Sequence, residues 1–239
     1  MSEHNLGFIS RIRLREDVTL ADLRKHKILN ASDYQLHKLL WNVMSYAPDQ
    51  KRDFIFRQTS MPDGMPEFLV VSKHQPQSSF GVWDIQCKPY NVNLNNGDVL
   101  RYTLRCNPVF TPFDRERIQS KAKSTRYDVI ASAKRIEKEK AKKENKSIAI
   151  NNQQLIYDTL LAWLEKRSLK NGFELDKTSF MVERYHYGQD PKSKDKSLSI
   201  LDVTGYLNIT DTDTFLHTLT HGIGHAKAWG CGLMLVKRG

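Results

Sequence analysis

A tyrosine and a histidine, Tyr34 and His37, stand three residues apart at the start of a predicted helix. Side chains at this spacing are neighbours on a helix surface. The backbone N–H groups and the dipole at a helix start also favour an anion. A near-neutral imidazole and a phenol beside a bound phosphate can form a general acid/base pair. On spacing alone, the alternative is an ordinary surface histidine with an incidental tyrosine.

A second candidate site is a glycine-rich stretch near the C-terminus. Four of the twelve glycines fall within eleven residues there, and they surround one lysine and one tryptophan: Gly222, Gly224, Gly230, Gly232, Lys227 and Trp229. Glycine tolerates positive φ and lets another backbone approach closely, so the stretch suits a loop that wraps a phosphate. The alternative is a helix C-cap at Gly222 and a turn near Gly230. The spacing fits neither a Walker loop nor a dinucleotide fingerprint.

Three histidines at steps of four, His217, His221 and His225, suggest a metal site. We expect Gly222 and Gly224 to end the helix before His225, and no nearby cysteine or carboxylate supplies an obvious further ligand. We therefore predict no metal site and no cofactor.

The helix that positions Tyr34 and His37 begins near Ser32, where Ser32-Asp-Tyr-Gln35 matches a capping box. Its apolar stripe consists of Leu36, Leu39, Leu40 and Val43. At about 100° per residue, His37 falls on a different face from those residues. The pattern therefore disfavours a histidine in the core.

The first half of the chain predicts an α+β sandwich such as the ferredoxin-like fold. Strands are predicted at 7–14, 52–59, 68–72, 83–88 and 98–106, the last of them closing the unit. The second helix of that fold is not evident. We assign residues 1–112 to this N-terminal domain.

The second half has similar ingredients. It contains an amphipathic helix at 153–167, strands at 180–187 and 197–209, a helix at 212–221 and a last strand at 233–236. The connection between the first two strands carries Lys192, Lys194 and Lys196, which suggests a basic hairpin. We assign 113–150 to a basic linker or insertion and 151–239 to a C-terminal domain. The prediction is two tandem ferredoxin-like (RRM-like) domains with a cleft between them.

The net charge of +10 is concentrated in one segment. Residues 115–146 hold 12 Lys/Arg against 5 Asp/Glu, whereas the rest of the chain holds 25 against 22. Such a segment suits a polyanion-binding patch, although a solvated basic linker would look similar. Three scattered cysteines, short apolar runs and a charged N-terminus predict a soluble cytoplasmic protein that does not bind membranes.

Several motifs, in this order, resemble a known family. They are Asp33-Tyr-Gln-Leu-His37 with Leu40-Trp41, Arg52-Asp-Phe-Ile-Phe56, Leu104-Arg-Cys-Asn-Pro108, Gly205-Tyr-Leu-Asn-Ile209 and Gly222-Ile-Gly-His-Ala-Lys-Ala-Trp-Gly-Cys-Gly-Leu233. Together they are similar to the CasE family of CRISPR precursor-RNA endonucleases, which belong to the type I-E Cascade complex. The resemblance runs through nearly the whole chain.

The resemblance implies two ferredoxin-like domains and metal-independent cleavage beside a repeat stem-loop. The 2′-OH upstream of the scissile phosphate would attack, leaving a 2′,3′-cyclic phosphate and a 5′-OH. His37 would be the general acid/base, Tyr34 would assist, and Lys227 with the glycine loop would hold the RNA backbone. The basic hairpin would follow the stem. The implied partners are the repeat stem-loop, the mature crRNA and other Cascade subunits.

Two other functions compete with this one. A non-catalytic RNA-hairpin-binding subunit would not require the tyrosine–histidine pair. A DNA-binding protein or metal nuclease is disfavoured because the sequence shows no carboxylate cluster and no recognition-helix pattern.

Overall fold

The computed structural model describes residues 3–28, 31, 33–44, 51–60, 65–77, 81–112, 125–143, 152–189 and 197–239. Its strands form two larger antiparallel sheets and one small two-stranded sheet. No helix among the described residues is long and apolar enough to span a bilayer.

The first sheet is built from the N-terminal strands. Its elements are β1 (His4–Leu14), α1 (Leu20–Lys25), α2 (Asp33–Met44), β2 (Phe54–Ser60), β3 (Pro66–Ser72) and β4 (Trp83–Val92). The strand order is β2-β3-β1-β4, with every neighbouring pair antiparallel. This is the ferredoxin-like order, and the described residues between β3 and β4 contain no second helix.

Packing in this unit follows the predicted apolar stripe. Leu36, Leu40 and Val43 of α2 are buried against the sheet, where they meet Phe54 and Phe68. Leu39 packs at the margin. Ser32, the predicted helix cap, lies outside the described residues.

The second sheet forms a complete β-α-β-β-α-β unit. Its elements are β5 (Val99–Cys106), β6 (Val109–Phe110), β7 (Tyr127–Asp128), α3 (Val129–Lys143), α4 (Asn152–Ser168), β8 (Phe173–Leu175), β9 (Met181–Gln189), β10 (Ser197–Ile209), α5 (Thr212–His221) and β11 (Met234–Arg238). The order is β11-β5-β10-β8, and β9 also pairs with β10. Both sheets therefore have ferredoxin-like topology.

The prediction that residues 98–106 close the first unit is wrong. This strand, β5, pairs with β10 and β11 and lies at the centre of the second sheet. Its alternation of buried Leu100, Tyr102 and Leu104 fits either sheet equally well, so only the long-range pairing decides. The basic segment also contributes to this unit, because Ile130 of α3 is fully buried in the second core.

The two units meet through a small apolar patch and a buried ionic cluster. Ile55 and Val71 of the first sheet pack with Leu233 of the second. Arg57 of β2 lies 3.3 Å from Asp202 of β10. These contacts hold the edge strand β2 against the C-terminal unit, next to the glycine-rich loop.

Candidate active site

His37 lies on the side of α2 that faces the boundary between the two units, and only 8% of its surface is exposed. Its ring stacks on Phe56 of β2, with centroids 5.6 Å apart and an interplanar angle of 11°. The expectation of a histidine clear of the core is therefore wrong, and so is the surface alternative. Helical periodicity located the leucine stripe correctly, but it did not reveal that β2 and the turn at Lys227–Trp229 cover a second face of α2.

A hydrogen bond from Trp41 fixes the protonation pattern of His37. Trp41 Nε1 lies 3.2 Å from His37 Nε2. Because an indole nitrogen can only donate, Nε2 must accept, and the proton of the neutral imidazole lies on Nδ1. Nδ1 is itself buried and has no hydrogen-bond partner within the described ranges.

The surroundings of His37 favour its neutral form. Burial, together with the positive charge of Arg52, lowers the pKa of His37 from its ordinary value of 6.5 to about 4. Desolvation disfavours any charged group, and a nearby cation disfavours a second one. At neutral pH the imidazole is therefore uncharged.

Arg52 is a functional candidate that residue-type reasoning did not single out. Its Nε donates to the carbonyl of Phe54 at 2.9 Å, and one terminal nitrogen donates to the carbonyl of Lys227 at 2.7 Å. Its guanidinium also lies 5.9 Å from the ring centroid of Phe56, the ring on which His37 stacks. Arg52 thus ties the start of β2 to the glycine-rich loop and adds a positive charge beside His37.

Lys227 adds a second cation to the same place. Burial and the charge of Arg52 lower the pKa of the Lys227 ammonium. Burial lowers the pKa of Arg52 as well. No carboxylate in the described part of the chain offsets either effect, so two neighbouring, half-buried cations lack an acidic partner. That arrangement favours a bound anion.

The glycine-rich loop is held by its own backbone. Gly222 ends α5 with φ of 72°, and the N–H of Ile223 donates to the carbonyl of Gly232 at 2.9 Å. A 3-10 turn at Lys227–Trp229 follows Ala226 and ends at Gly230, where φ is also 72°. The helix C-cap at Gly222 and the turn near Gly230, which are the alternative interpretation of this stretch, are both present.

Three of the glycines also permit close approach to other protein groups. A Cβ at Gly224 would lie 3.3 Å from the Trp163 ring. One at Gly230 would lie 3.2 Å from the backbone nitrogen of Gln58, and one at Gly232 would lie 3.0 Å from the carbonyl of Ile223. These contacts explain the glycines structurally, and a role for the loop in wrapping phosphate stays a prediction.

The side chains of four other predicted site residues lie outside the described part of the structure. Lys192, Lys194 and Lys196 lie outside the described residues, as does the side chain of Tyr34, although its backbone occupies the first turn of α2.

The helix bearing His217 ends at His221, as predicted. No cluster of three His, Cys, Asp or Glu side chains that could hold a metal occurs among the described residues.

Comparison with known proteins assigns the chain to a family. A sequence model described as CRISPR associated protein matches residues 8–238. The chain belongs to this family. It is 29% identical over 206 residues to the CRISPR system Cascade subunit CasE of Escherichia coli K12, covering 84% of this chain and 89% of that protein.

Two further similarities agree with this assignment. The chain is 25% identical over 225 residues to the CRISPR-associated endoribonuclease Cse3 of Thermus thermophilus, covering 86% of this chain and 90% of that protein. A solved structure of CRISPR endoribonuclease Cse3 bound to 19 nt RNA superposes with a TM-score of 0.67 at 20% identity, covering 96% of this chain and 98% of that chain. The structural likeness supports the two-domain ferredoxin-like fold.

Proposed function

We propose that this CRISPR associated protein is an endoribonuclease that cuts CRISPR precursor RNA beside the repeat stem-loop. It retains the hairpin product, the mature crRNA, as a subunit of a cytoplasmic Cascade complex. The family assignment and the names of the relatives, a Cascade subunit and an endoribonuclease, support this proposal.

The observation that carries the proposal is the position of His37 beside Arg52, a cation that in turn contacts the loop residue Lys227. Burial, together with the charge of Arg52, lowers the pKa of His37, and the backbone carbonyl of Lys227 accepts a hydrogen bond from Arg52. An RNA phosphate bound by Arg52 and Lys227 would therefore lie next to an imidazole that is neutral when the site is empty. A phosphate with an imidazole at its side is the minimum that acid/base cleavage of RNA requires.

In this mechanism the 2′-OH upstream of the cut attacks the adjacent phosphorus as His37 assists proton transfer. The 5′ oxygen leaves, and the products are a 2′,3′-cyclic phosphate and a 5′-OH. Lys227 and Arg52 stabilise the charge that develops on the phosphoryl oxygens. Bound phosphate also favours imidazolium, so the pKa of His37 rises on RNA binding toward the range useful for acid catalysis.

Access to His37 requires a local rearrangement. Nε2 accepts from Trp41, and Nδ1 is buried. A productive complex therefore needs the ring to turn or the Trp41 bond to open. Tyr34, one helical turn earlier, is proposed to assist or orient the attack.

The rest of the chain supplies affinity. We assign backbone binding to Gly222, Gly224, Gly230 and Gly232 of the loop and stem tracking to Lys192, Lys194 and Lys196. Charged contacts of this kind position RNA without reading its sequence.

We place the domain boundary between β4 and β5, because Leu94 packs in the second core.

The decisive experiment uses a labelled repeat stem-loop RNA in EDTA, compared with the same RNA carrying a 2′-deoxy nucleotide at the cut. Cleavage of the first RNA alone is expected, since only the 2′-OH can attack. Cleavage of both would refute 2′-OH attack. Tight binding without cleavage of either would favour the non-catalytic RNA-binding subunit.

A His37→Asn variant tests the residue assignment. We expect single-turnover cleavage to fall at least a hundredfold, the usual loss for a general acid/base, with stem-loop affinity within a few-fold of wild type. His26→Asn, which changes the half-buried histidine at the C-cap of α1, is the matched control and should cleave normally. Normal cleavage by His37→Asn would exclude His37 from the chemistry.

A further inference from the structure

An open cleft of about 830 Å³ extends from Arg52 and Lys227 along the junction of the two units. Its lining includes Leu6, Phe54, Val71 and Leu216, and α5 contributes to one wall. The volume is in the range of ordinary small-molecule sites. The acid/base mechanism at His37 makes no use of most of this space.

The charges that line the cleft favour an anionic ligand. Arg52, Lys73 and Lys227 contribute cations. Asp53, the acidic residue among the described lining residues, is hydrogen-bonded to His74. The side chain of Lys73 is exposed, so its ammonium is available to a ligand in the cleft.

The part of the cleft lined by α5 offers an aromatic surface. The rings of His217 and His221 stack with centroids 3.7 Å apart and an interplanar angle of 4°. Nδ1 of His221 lies 3.1 Å from the carbonyl oxygen of His217, which holds the pair in place. Both side chains are exposed, so an incoming planar group can stack against the pair.

A second cleft, which is lined in part by Trp229 of the glycine-rich loop, lacks this character. It measures about 580 Å³ and is lined by two acidic and two arginine side chains, Glu183, Asp202, Arg105 and Arg184. Asp202 and Arg105 are ion-paired with each other. Its charges therefore balance, whereas the first cleft has an excess of cations.

We infer that the first cleft binds the single-stranded RNA that adjoins the scissile phosphate, with Lys73 contacting a phosphate and the His217–His221 pair stacking on a base. This inference rests on the proposed function and adds a subsite to it. Apolar walls, a cationic rim and an exposed aromatic pair match what single-stranded nucleic acid requires, since base stacking on aromatic rings tolerates any sequence. The strand reaches the cleft around the start of β2, where Arg52 contacts both regions.

The test uses the full-length protein with three uncleavable RNAs that carry a 2′-deoxy nucleotide at the cut. One is the bare stem-loop, one adds a short 5′ flank, and one adds a short 3′ flank. Fluorescence anisotropy is expected to show tighter binding of one flanked RNA, which identifies the strand that enters. His217→Ala/His221→Ala should weaken that RNA about tenfold, the effect of losing one base stack, and leave the bare stem-loop unchanged.

Two further variants separate stacking from general damage. His217→Phe keeps an aromatic face and should retain the affinity for the flanked RNA. Lys73→Ala should reduce the slope of log affinity against log salt by about 0.7, the value for one phosphate contact on a single strand. Lys166→Ala, an exposed lysine on α4 outside the cleft, should leave the slope unchanged.

The outcomes separate this inference from the proposed function. If wild-type protein cleaves and binds the stem-loop but neither flank adds affinity, the subsite is refuted and the endoribonuclease proposal stands. Equal losses for bare and flanked RNA in the His217→Ala/His221→Ala variant would also refute it. If wild-type protein neither binds nor cuts the stem-loop, the proposed function fails first and the subsite fails with it.

Discussion

The imidazole of His37 and the guanidinium of Arg52 both contact the ring of Phe56. His37 stacks on this ring at 5.6 Å, and the Arg52 guanidinium lies 5.9 Å from its centroid. One buried side chain of β2 thus sets the positions of the proposed acid/base and of a cation beside it. This shared contact explains why Arg52 acts on the pKa of His37 although 15 positions separate them in the sequence.

The low pKa of His37 predicts a pH-dependent loss of stability. Burial, with Arg52, lowers the folded-state pKa to about 4, below the ordinary value of 6.5. As the pH falls, the unfolded chain therefore binds this proton before the folded protein does. The contribution of the neutral His37 to folding stability is fully present above pH 6.5 and is lost as the pH falls toward 4. Between pH 7 and pH 4 we expect wild type to lose roughly 2 kcal/mol more stability than His37→Asn, allowing for solvent screening. Urea unfolding of both proteins at the two pH values measures this difference, and parallel losses would contradict it.

The hydrogen bond from Trp41 predicts an effect on the pH profile of cleavage. Trp41→Phe removes the donor to Nε2 and keeps an aromatic ring, so the neutral imidazole loses a stabilising bond. We expect the pKa of His37 to rise by about half to one unit, the equivalent of one net hydrogen bond. The acid limb of kcat/KM against pH should move up by the same amount.

A matched control comes from a second tryptophan. Trp163 Nε1 donates to the carbonyl of Val109 at 3.1 Å in the C-terminal core. Trp163→Phe therefore loses a similar bond away from His37, and it should lower stability without moving the acid limb. An unchanged limb in Trp41→Phe would show that the bond has no influence on the reacting imidazole.

Local patterns predicted most of the elements but not the pairing between them. The helix bounds at Thr212–His221 follow from Asp211 at the N-cap and Gly222 at the C-cap, both of which are local signals. The assignment of β5 failed because alternation of apolar residues identifies a strand without identifying its sheet. Arg52 could be found only as part of a family-like motif, since its role depends on a carbonyl 175 residues away.

The burial of His37 shows the same limit for the site. A helical wheel divides one helix into faces, yet it contains no information about which neighbours cover each face. Tertiary packing placed Phe56 and the turn after Ala226 against the face of α2 that carries His37. The residue types therefore indicated acid/base chemistry, and the fold alone determined that the imidazole is neutral and enclosed.

The glycine-rich loop offers a test that separates backbone strain from packing. Gly230 and Gly97 both have positive φ, 72° and 86°. A Cβ at Gly97 would have nothing within 4 Å, whereas a Cβ at Gly230 would press on the Gln58 backbone and the Phe56 ring. We expect Gly97→Ala to cost about 1 kcal/mol of stability and to leave cleavage intact. Gly230→Ala should cost about 3 kcal/mol and slow cleavage, because the loop must move away from the ring that supports His37. Equal cleavage by the two variants would show that the loop position is irrelevant to the reaction.

The ionic cluster between the units predicts a large effect from one substitution. Asp202 is 5% exposed and accepts from Arg105 at 2.8 Å and from Arg57 at 3.3 Å. Burial alone would raise the pKa of the Asp202 carboxyl, but the hydrogen bond and charge of Arg105, with the charge of Arg57, lower it overall. Asp202→Asn leaves two enclosed arginines without their counter-ion, so unfolding should become easier by about 3 kcal/mol. The control Glu139→Gln breaks a surface pair with Arg135 and should change stability by no more than about 0.5 kcal/mol. Because Arg57 and Asp202 lie on opposite units, Asp202→Asn should also slow cleavage by loosening the loop from His37. Equal stabilities of the two variants in urea unfolding would mean that the cluster contributes nothing to holding the units together.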